Sequence, residues 1–339
     1  MFDDLLGKVT AGQDLSMDEM AQAMDAVMRG EIDEPRIGLL LTALRTKGET
    51  VDELAGAAAA MRKHMTPIRT TRTNVLDTCG TGGDASGTFN ISTAAALVAA
   101  GAGVAVAKHG NRSITSRSGS ADVLSELGVN VEAEPAVVEA CLNEVGICFC
   151  FAPKLHPAMR HVAPVRRKLG VPTIFNLLGP LCNPAGAALQ LLGSGNRETA
   201  RMLAAALCRL GTRRAIVVTG SDGLDEVTIS GPTHVVEVRA GELHERTWTP
   251  EDFSLPHGSL DALRIESPRQ SAALIRDVVE GKTRGAARDI VVANAAAALW
   301  LAGQAETLAV AAAQAQSAID DGSAAAVLKQ WAEVSRRGI

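Results

Sequence analysis

The chain has 339 residues and a formal net charge of −5, so it lacks the overall basic excess that is typical of nucleic-acid-binding proteins. Hydrophobic residues make up 47% of the chain and charged residues 21%, which excludes a disordered protein and is typical of a globular one. Only 3% of the residues are aromatic and none is tyrosine, so alanine and aliphatic side chains must build the core.

The first 66 residues predict a small domain made only of helices. A capping box at Ser16 opens one helix, Pro35 marks the start of a second, and a further capping box at Thr50 opens a third. Apolar residues follow each start at helical spacing. We expect these apolar stripes to form a core or a partner surface, because no residue in this segment suggests chemistry.

From residue 67 to residue 339, short β-type runs alternate with helical stretches, which predicts an α/β domain with a mainly parallel central sheet. Residues 233–247 alternate apolar and polar side chains and predict an antiparallel hairpin. The longest apolar stretch, 91–107, is interrupted by two glycines and ends at Lys108, so it does not fit a membrane span. The strand candidates are residues 75–78, 104–107, 147–150, 189–192 and 215–218.

A glycine-rich segment, residues 80–84, follows the first strand candidate and precedes a helix that begins near Asn90. Glycine N–H groups and the positive end of a helix both bind phosphate. A lone glycine cluster is about as often a plain strand-to-helix turn. The segment therefore predicts a phosphate site only together with its neighbours.

The same segment fits a dinucleotide fingerprint through Gly80, Gly82 and Ala85. A site for NAD requires an acidic residue roughly 20 positions further on. No acidic residue lies between positions 84 and 122, and the second strand candidate leads into a lysine. NAD is therefore disfavoured, whereas an NADP-dependent dehydrogenase stays open as a distant alternative.

Charged residues follow two further strand candidates. Lys108 and Arg112 come after the second strand, and they should meet the glycine segment because the carboxyl ends of parallel strands face one crevice. Asp225 and Glu226 follow the strand that ends near Thr219, and carboxylate oxygens are the ligands that Mg2+ prefers. Spacing alone leaves open that both segments are solvated loops.

Histidines and cysteines form no metal or redox motif. His156 and His161 are five residues apart, which does not bring both to one helix face, and none of the six cysteines forms a CxxC pair. The basic helical segment at 156–170 carries arginines that could bind a carboxylate in bidentate fashion. The acidic N-terminal residues do not fit a signal peptide, so we expect a reduced, cytoplasmic protein.

Taken together, these segments resemble the anthranilate phosphoribosyltransferase family over nearly the whole chain. The one departure is Pro172, where family members often carry arginine, and this position lies outside the matching motifs. In chain order, the matching motifs are GTGGD at 80–84, NIST at 90–93, KHGNRS at 108–113, SGSADVLSELG at 118–128, HPAMRHVAPVR at 156–166, FNLLGPLCNP at 175–184 and GLDE at 223–226.

The resemblance implies a small helical domain, residues 1–66 joined in space by helices from about 160–185, beside an α/β domain, residues 67–339. This is the nucleoside-phosphorylase-like phosphoribosyltransferase architecture. The implied reaction transfers the 5-phosphoribosyl group of phosphoribosyl pyrophosphate (PRPP) to the amine of anthranilate. The resemblance also implies Mg2+ as cofactor and a homodimer formed through the helical domain.

The resemblance assigns site residues as well. Lys108 and Arg166 would act in catalysis. The residues that would face anthranilate are His109, Asn111 and Arg166. The implied ligands of Mg2+ are Ser92, Asp225 and Glu226. The implied substrate-binding residues are Gly80, Gly83, Asp84, Thr88, Asn90, Ile91, Ser92, Thr93, Lys108, His109, Gly110, Asn111, Arg112, Ser113, Ser120 and Arg166.

Two other functions are compatible with the same predicted fold. A pyrimidine nucleoside phosphorylase would use inorganic phosphate on a nucleoside. A non-catalytic nucleic-acid-binding relative would need an extended basic face, which the acidic balance of the chain disfavours. We therefore expect neither a nucleic-acid partner nor a membrane partner.

Overall fold

In a computed structural model of the chain, which describes residues 1–82, 86–113 and 118–338, the N-terminal segment is helical. Its helices are α1 (Phe2–Thr10), α2 (Met17–Met28), α3 (Glu34–Lys47) and α4 (Val51–Lys63). The predicted capping boxes at Ser16 and Thr50 are present, and Asp33 caps the helix that carries Pro35 in its first turn. Helix α1 was not predicted, because Met1 at its N-cap has no side-chain oxygen that could give a capping signal.

A seven-stranded sheet forms the centre of the rest of the chain. Its strands are β1 (Leu76–Gly80), β2 (Val106–Gly110), β3 (Ile147–Phe151), β4 (Leu189–Gly193), β5 (Arg214–Gly220), β6 (Thr233–Arg239) and β7 (Glu242–Trp248). Their order across the sheet is β3-β2-β1-β4-β5-β6-β7. The first five of these run parallel, whereas β6 and β7 are antiparallel, which confirms the predicted hairpin.

The second strand begins two residues later than predicted. It covers Val106–Gly110 and not 104–107, so Lys108 and His109 belong to the strand and not to the loop after it. Pairing with β3 extends the ladder to these two residues. Their polar side chains are tolerated in the interior because each finds a hydrogen-bond partner there.

Helices cover the sheet, and two of them, α5 and α13, are alanine-rich and almost completely buried. The helices of this part are α5 (Ile91–Gly101), α6 (Ser120–Glu126), α7 (Pro135–Ala140), α8 (Ala152–Leu155), α9 (Ala163–Leu169), α10 (Phe175–Leu178), α11 (Arg197–Arg209), α12 (Pro268–Val279), α13 (Ala286–Leu301), α14 (Leu308–Asp320) and α15 (Ser323–Val334). Small side chains let α5 and α13 pack closely against each other. Within the described ranges, no helix combines the length and the apolar character that crossing a bilayer requires.

Helices α9 and α10 pack on the N-terminal helices. Helix α9 contacts α3, and α10 contacts α4. Val165, Phe175 and Leu178 belong to the same apolar cluster as Leu41 and Leu54, and this cluster continues to one face of the sheet. The helical layer and the sheet therefore share a core, and the division of the chain at residue 66 stays a prediction.

Candidate active site

A crevice of about 390 Å³ lies at the carboxyl ends of β1 and β2. The sheet is extended from β1 in both directions, with β2 and β3 on one side and β4 and β5 on the other. In open α/β sheets, ligands bind outside the carboxyl ends of the strands at such a point. Gly83 and Asp84 of the glycine segment lie outside the described residues. The predicted site residues that line the crevice are Gly80, Thr88, Asn90, Ile91, Ser92, Lys108, His109, Gly110, Asn111, Ser120, Asp225 and Glu226.

Backbone N–H groups hold the two carboxylates inside the crevice. Gly82 N donates to Asp225 Oδ2 at 3.2 Å, and Ser92 N donates to Glu226 Oε1 at 3.1 Å. These N–H groups belong to the glycine segment and to the first turn of α5, the two features that the sequence associates with phosphate binding. The two carboxylates therefore accept hydrogen bonds from N–H groups that could also bind a phosphate.

The loop that carries Asp225 rests directly on the ends of β1 and β4, where Gly80 and Gly193 are register partners. A Cβ atom on Gly80 would lie 2.5 Å from Asp225 Oδ2, and one on Gly193 would lie 2.6 Å from the carbonyl carbon of Asp225. Both distances are far shorter than normal contacts. At Gly193 the neighbour is main chain, so only glycine permits this approach, whereas at Gly80 a Cβ atom would turn the Asp225 carboxylate away from its present position. The sequence prediction missed Gly193, although its signal, a glycine at the end of the fourth strand candidate, is visible.

The amine of Lys108 is buried beside the first turn of α5. Its Nζ atom donates to Thr78 O at 2.5 Å and to Ser92 Oγ at 3.0 Å. Burial lowers the pKa of the Lys108 amine, and the carboxylates of Asp77 and Glu226 oppose this shift. A polyphosphate in the crevice would favour the charged amine further.

Asn90 at the start of α5 is held by two distant serines. Its backbone N–H donates to Ser271 Oγ at 3.0 Å, and its Oδ1 accepts hydrogen bonds from Ser271 Oγ at 2.9 Å and Ser118 Oγ at 2.8 Å. Ser271 is fully buried on α12. The Asn90 side chain therefore does not cap its own helix, and no local sequence pattern indicated the partner in α12.

Two buried histidines face each other at the edge of the crevice. His109 Nδ1 lies 2.9 Å from Gly179 O, and His109 Nε2 lies 3.1 Å from His156 Nε2. The backbone N–H of His109 donates to Asp77 Oδ1 at 3.0 Å. Burial lowers the pKa of His109 to about 3 and that of His156 to about 4, so both rings are neutral at pH 7.

Three predicted residues do not line the crevice although they lie close to it in the chain. Arg112 forms ion pairs with Asp122 at 3.3 Å and with Glu132 at 2.8 Å. The backbone N–H of Ser113 donates to Asp122 Oδ2 at 3.0 Å. Thr93 is fully buried, and its hydroxyl has no hydrogen-bond partner among the described residues. Their assignment to substrate binding stays a prediction.

Arg166 lies beside a second cavity and does not line the first. Its Nη2 atom donates to Asn176 Oδ1 at 3.4 Å. Asn176 lines a cavity of about 410 Å³ that has Gly82 in common with the crevice. Burial lowers the pKa of Arg166, yet a guanidinium stays charged at neutral pH. The two cavities are therefore neighbours, and the half-buried guanidinium of Arg166 contacts a residue that lines the second.

The donor set in the crevice fits a divalent ion that is shared with a ligand. Among the described residues there is no group of three or more His, Cys, Asp or Glu side chains that could bind a metal by itself. Asp225, Glu226 and the Ser92 hydroxyl would supply part of a coordination shell made of hard oxygens. Mg2+ is commonly bound by one or two carboxylates together with substrate phosphates, so these residues suit it.

Family comparisons match both parts of the chain. Residues 3–65 match the helical bundle domain of a glycosyl transferase family, and residues 72–325 match the a/b domain of a glycosyl transferase family. An anthranilate phosphoribosyltransferase of Rhodopirellula baltica is 53% identical over 332 residues, which cover 98% of this chain and 97% of that protein.

Solved structures give the same result. The crystal structure of anthranilate phosphoribosyltransferase from Thermus thermophilus is 44% identical with a TM-score of 0.92, covering 98% of this chain and 99% of that one. The Saccharomyces cerevisiae enzyme in complex with PRPP and Mg is 27% identical with a TM-score of 0.89, covering 98% and 97%. The yeast enzyme has also been solved in complex with 4-fluoroanthranilate.

Proposed function

The chain belongs to the anthranilate phosphoribosyltransferase family and is a transferase of that activity, and we propose that its reaction takes place in the crevice at the ends of β1 and β2. The enzyme transfers the 5-phosphoribosyl group of PRPP to the amine of anthranilate and releases pyrophosphate. One observation carries the proposed location. Backbone N–H donors, a buried lysine and two carboxylates line a single crevice.

The pyrophosphate of PRPP would bind to the glycine segment and the start of α5. The N–H groups of Gly82 and Ser92, which donate to Asp225 and Glu226 in the structure, would donate instead to its oxygens once Mg2+ binds the two carboxylates. The partial positive charge at the helix N-terminus would add to the attraction. The Lys108 amine, which already lies 3.0 Å from Ser92 Oγ, would stabilise the charge that grows on the leaving pyrophosphate. Thr88, Asn90 and the neighbouring hydroxyls would hold the rest of the donor.

Asp225, Glu226 and Ser92 would hold Mg2+ together with the substrate phosphates. When bound, the ion supplies positive charge that offsets the negative charge on the leaving group. The yeast enzyme in complex with PRPP and Mg supports this assignment by analogy. The hydrogen bonds from Gly82 and Ser92 already hold the two carboxylates inside the crevice, where such an ion would bind.

The acceptor would lie between His109 and Arg166. The Arg166 guanidinium would bind the carboxylate of anthranilate, and the neutral ring of His109 would pack beside the aromatic ring, with Asn111 as a further polar contact. An aromatic amine is neutral at pH 7 and needs no strong base before it attacks. Orientation by these side chains would therefore supply much of the rate acceleration.

In the chemical step the lone pair of the amine nitrogen forms a bond to C1 of the ribose while the bond from C1 to the pyrophosphate oxygen breaks. The electron pair of the broken bond leaves with pyrophosphate, and the positively charged nitrogen that results gives up one proton to water and becomes a secondary amine. Charge on the leaving group is greatest as this bond breaks, so preorganised donors act on the transition state more than on the ground state. Lys108 and the N–H groups of the glycine segment are suited to that role.

We also infer a homodimer formed through the helical layer. Leu39 on α3 and Val171 after α9 are large apolar side chains that are exposed in this layer. Exposed apolar side chains of this kind suit a partner surface when they form a continuous patch. Sedimentation equilibrium should give twice the mass of one chain, and a single-chain mass would contradict the dimer.

The proposed activity is tested by following the loss of anthranilate fluorescence with PRPP and Mg2+ present. The signal should decay, and omission of either compound should stop the decay. A Lys108→Ala variant should retain binding of anthranilate and lose most of kcat. Phosphorolysis of thymidine without turnover of anthranilate would instead identify a pyrimidine nucleoside phosphorylase, and an unaltered kcat in the variant would remove Lys108 from the mechanism.

A further inference from the structure

Asn294 is a polar side chain in the middle of α13, a helix that is otherwise built mainly from alanine and aliphatic residues. It is completely buried, with 0% exposure. Burying an amide costs free energy unless its donors and acceptor are all satisfied. Asn294 satisfies them: Oδ1 accepts from Val227 N, and Nδ2 donates to Val227 O and to Ile290 O, each at 2.9 Å.

The two bonds to Val227 resemble the pairing that an adjacent β-strand would provide. A strand partner bonds both the N–H and the C=O of one residue, and here a single side-chain amide does so. Val227 directly follows Asp225 and Glu226, and its N–H belongs to the planar peptide that begins at the carbonyl of Glu226. Asn294 therefore fixes the main chain immediately after the two carboxylates.

Other contacts hold the remaining sides of this loop. On the β4 side, Asp225 rests against Gly193, where a Cβ atom could not fit. Further along, Thr228 N donates to Thr233 Oγ1 at 3.0 Å. Asn294 contacts the loop from the buried helix α13, so the loop is held between the sheet and this helix.

We propose that Asn294 is a positioning residue for the Asp225 and Glu226 carboxylates and thereby sets the affinity of the enzyme for Mg2+. This inference rests on the proposed metal-binding role of those carboxylates. Mg2+ demands near-ideal geometry at about 2.0–2.1 Å, so a small shift of the loop is enough to weaken binding. Because Asn294 has no exposed surface, it acts through the loop and not by touching a substrate.

The test compares the Mg2+ dependence of wild-type enzyme with that of Asn294→Ala. Loss of a residue that orients a metal ligand typically weakens metal affinity by about 10–100-fold, and we expect the Mg2+ concentration at half-maximal activity to rise by that factor. The KM for anthranilate should stay unchanged. Calorimetric titration of Mn2+ into the protein with inorganic pyrophosphate present should show the same loss without any turnover.

Two further variants separate positioning from general destabilisation. Asn294→Asp keeps an acceptor for the Val227 N–H and should lie between wild type and Asn294→Ala. Leu299→Ala removes a fully buried side chain from the same helix without removing a hydrogen bond to the loop, and its Mg2+ dependence should stay that of the wild type. All variants are assayed at a temperature at which circular dichroism reports them folded.

An Asp225→Asn variant tests the metal site separately from the positioning role of Asn294. If Asp225→Asn shifts the Mg2+ dependence and Asn294→Ala does not, the positioning role is wrong and the metal site stands. If Asp225→Asn leaves the Mg2+ dependence unchanged, the metal site and the positioning role both fail. If Leu299→Ala shifts it as much as Asn294→Ala, the effect belongs to helix stability and the inference is overturned.

Discussion

A methyl group added to Gly193 should displace the proposed metal-binding loop, because it would meet the main chain of Asp225. Gly193 is the last residue of β4 and is buried. A Cβ atom there would lie 2.6 Å from the carbonyl carbon of Asp225. Carbon atoms in contact are normally about 3.5–4.0 Å apart, so the loop would have to move by about 1 Å or more.

The loop cannot move by that distance and keep its present contacts. Its main chain is bonded to Asn294 through Val227, and Asp225 Oδ2 accepts from Gly82 N. A misplacement of about 1 Å near a reacting centre costs about 100-fold in rate, which corresponds to about 2.7 kcal/mol of transition-state stabilisation. Overpacking should also lower the free energy of unfolding by about 1–3 kcal/mol.

The assay is the loss of anthranilate fluorescence over a range of Mg2+ concentrations, together with urea unfolding. We expect Gly193→Ala to lower kcat/KM by about 100-fold, with the largest deficit at low Mg2+. Gly7→Ala is the matched control, because a Cβ atom on Gly7 in α1 meets nothing within 4 Å. A folded Gly193→Ala protein with wild-type kcat/KM at low Mg2+ would refute the reasoning.

The site supports three further predictions. Arg166→Ala should raise the KM for anthranilate and spare that for PRPP; equal effects on both would remove Arg166 from the acceptor site. Because burial lowers the pKa of His109 to about 3 and that of His156 to about 4, the unfolded state binds more protons below about pH 6.5. The free energy of unfolding should therefore fall as the pH falls below that value. In urea unfolding at about pH 7 and about pH 5, His156→Gln should lose less of this free energy than wild type; an equal loss in both proteins would contradict the prediction. Without metal, Asp225→Asn combined with Glu226→Gln should bind inorganic pyrophosphate more tightly than wild type, because two negative charges leave an amide-lined crevice; weaker binding by calorimetry would argue against that arrangement.

Local signals explain what the sequence could predict. The capping boxes at Ser16 and Thr50 start directly before their helices, and the glycine segment begins at the last residue of its strand. Helix α1 lacked such a signal and was missed. The predicted bounds of the second strand were wrong because the polar residues Lys108 and His109 are typical of a loop, and only their pairing with β3 shows that they belong to the strand.

Long-range contacts explain what the sequence could not predict. A glycine directly after the fourth strand candidate is visible in the sequence, but the role of Gly193 depends on β4 lying next to β1, which no local pattern reveals. Asn294 looks like an isolated polar residue in an alanine-rich helix, and its partner Val227 lies 67 residues away. Sequence spacing relates His156 only to His161, whereas in the structure it faces His109, which lies 47 residues away in the chain.

The central claim is that one crevice binds the donor between backbone N–H groups, Lys108 and a divalent ion. A crystal structure with PRPP and Mn2+, whose anomalous signal locates the ion, tests it most directly. We predict the ion at about 2.1 Å from carboxylate oxygens of Asp225 and Glu226, with the pyrophosphate facing Lys108 and the N–H of Gly82. Donor and ion bound in the neighbouring cavity beside Asn176, away from both carboxylates, would contradict it.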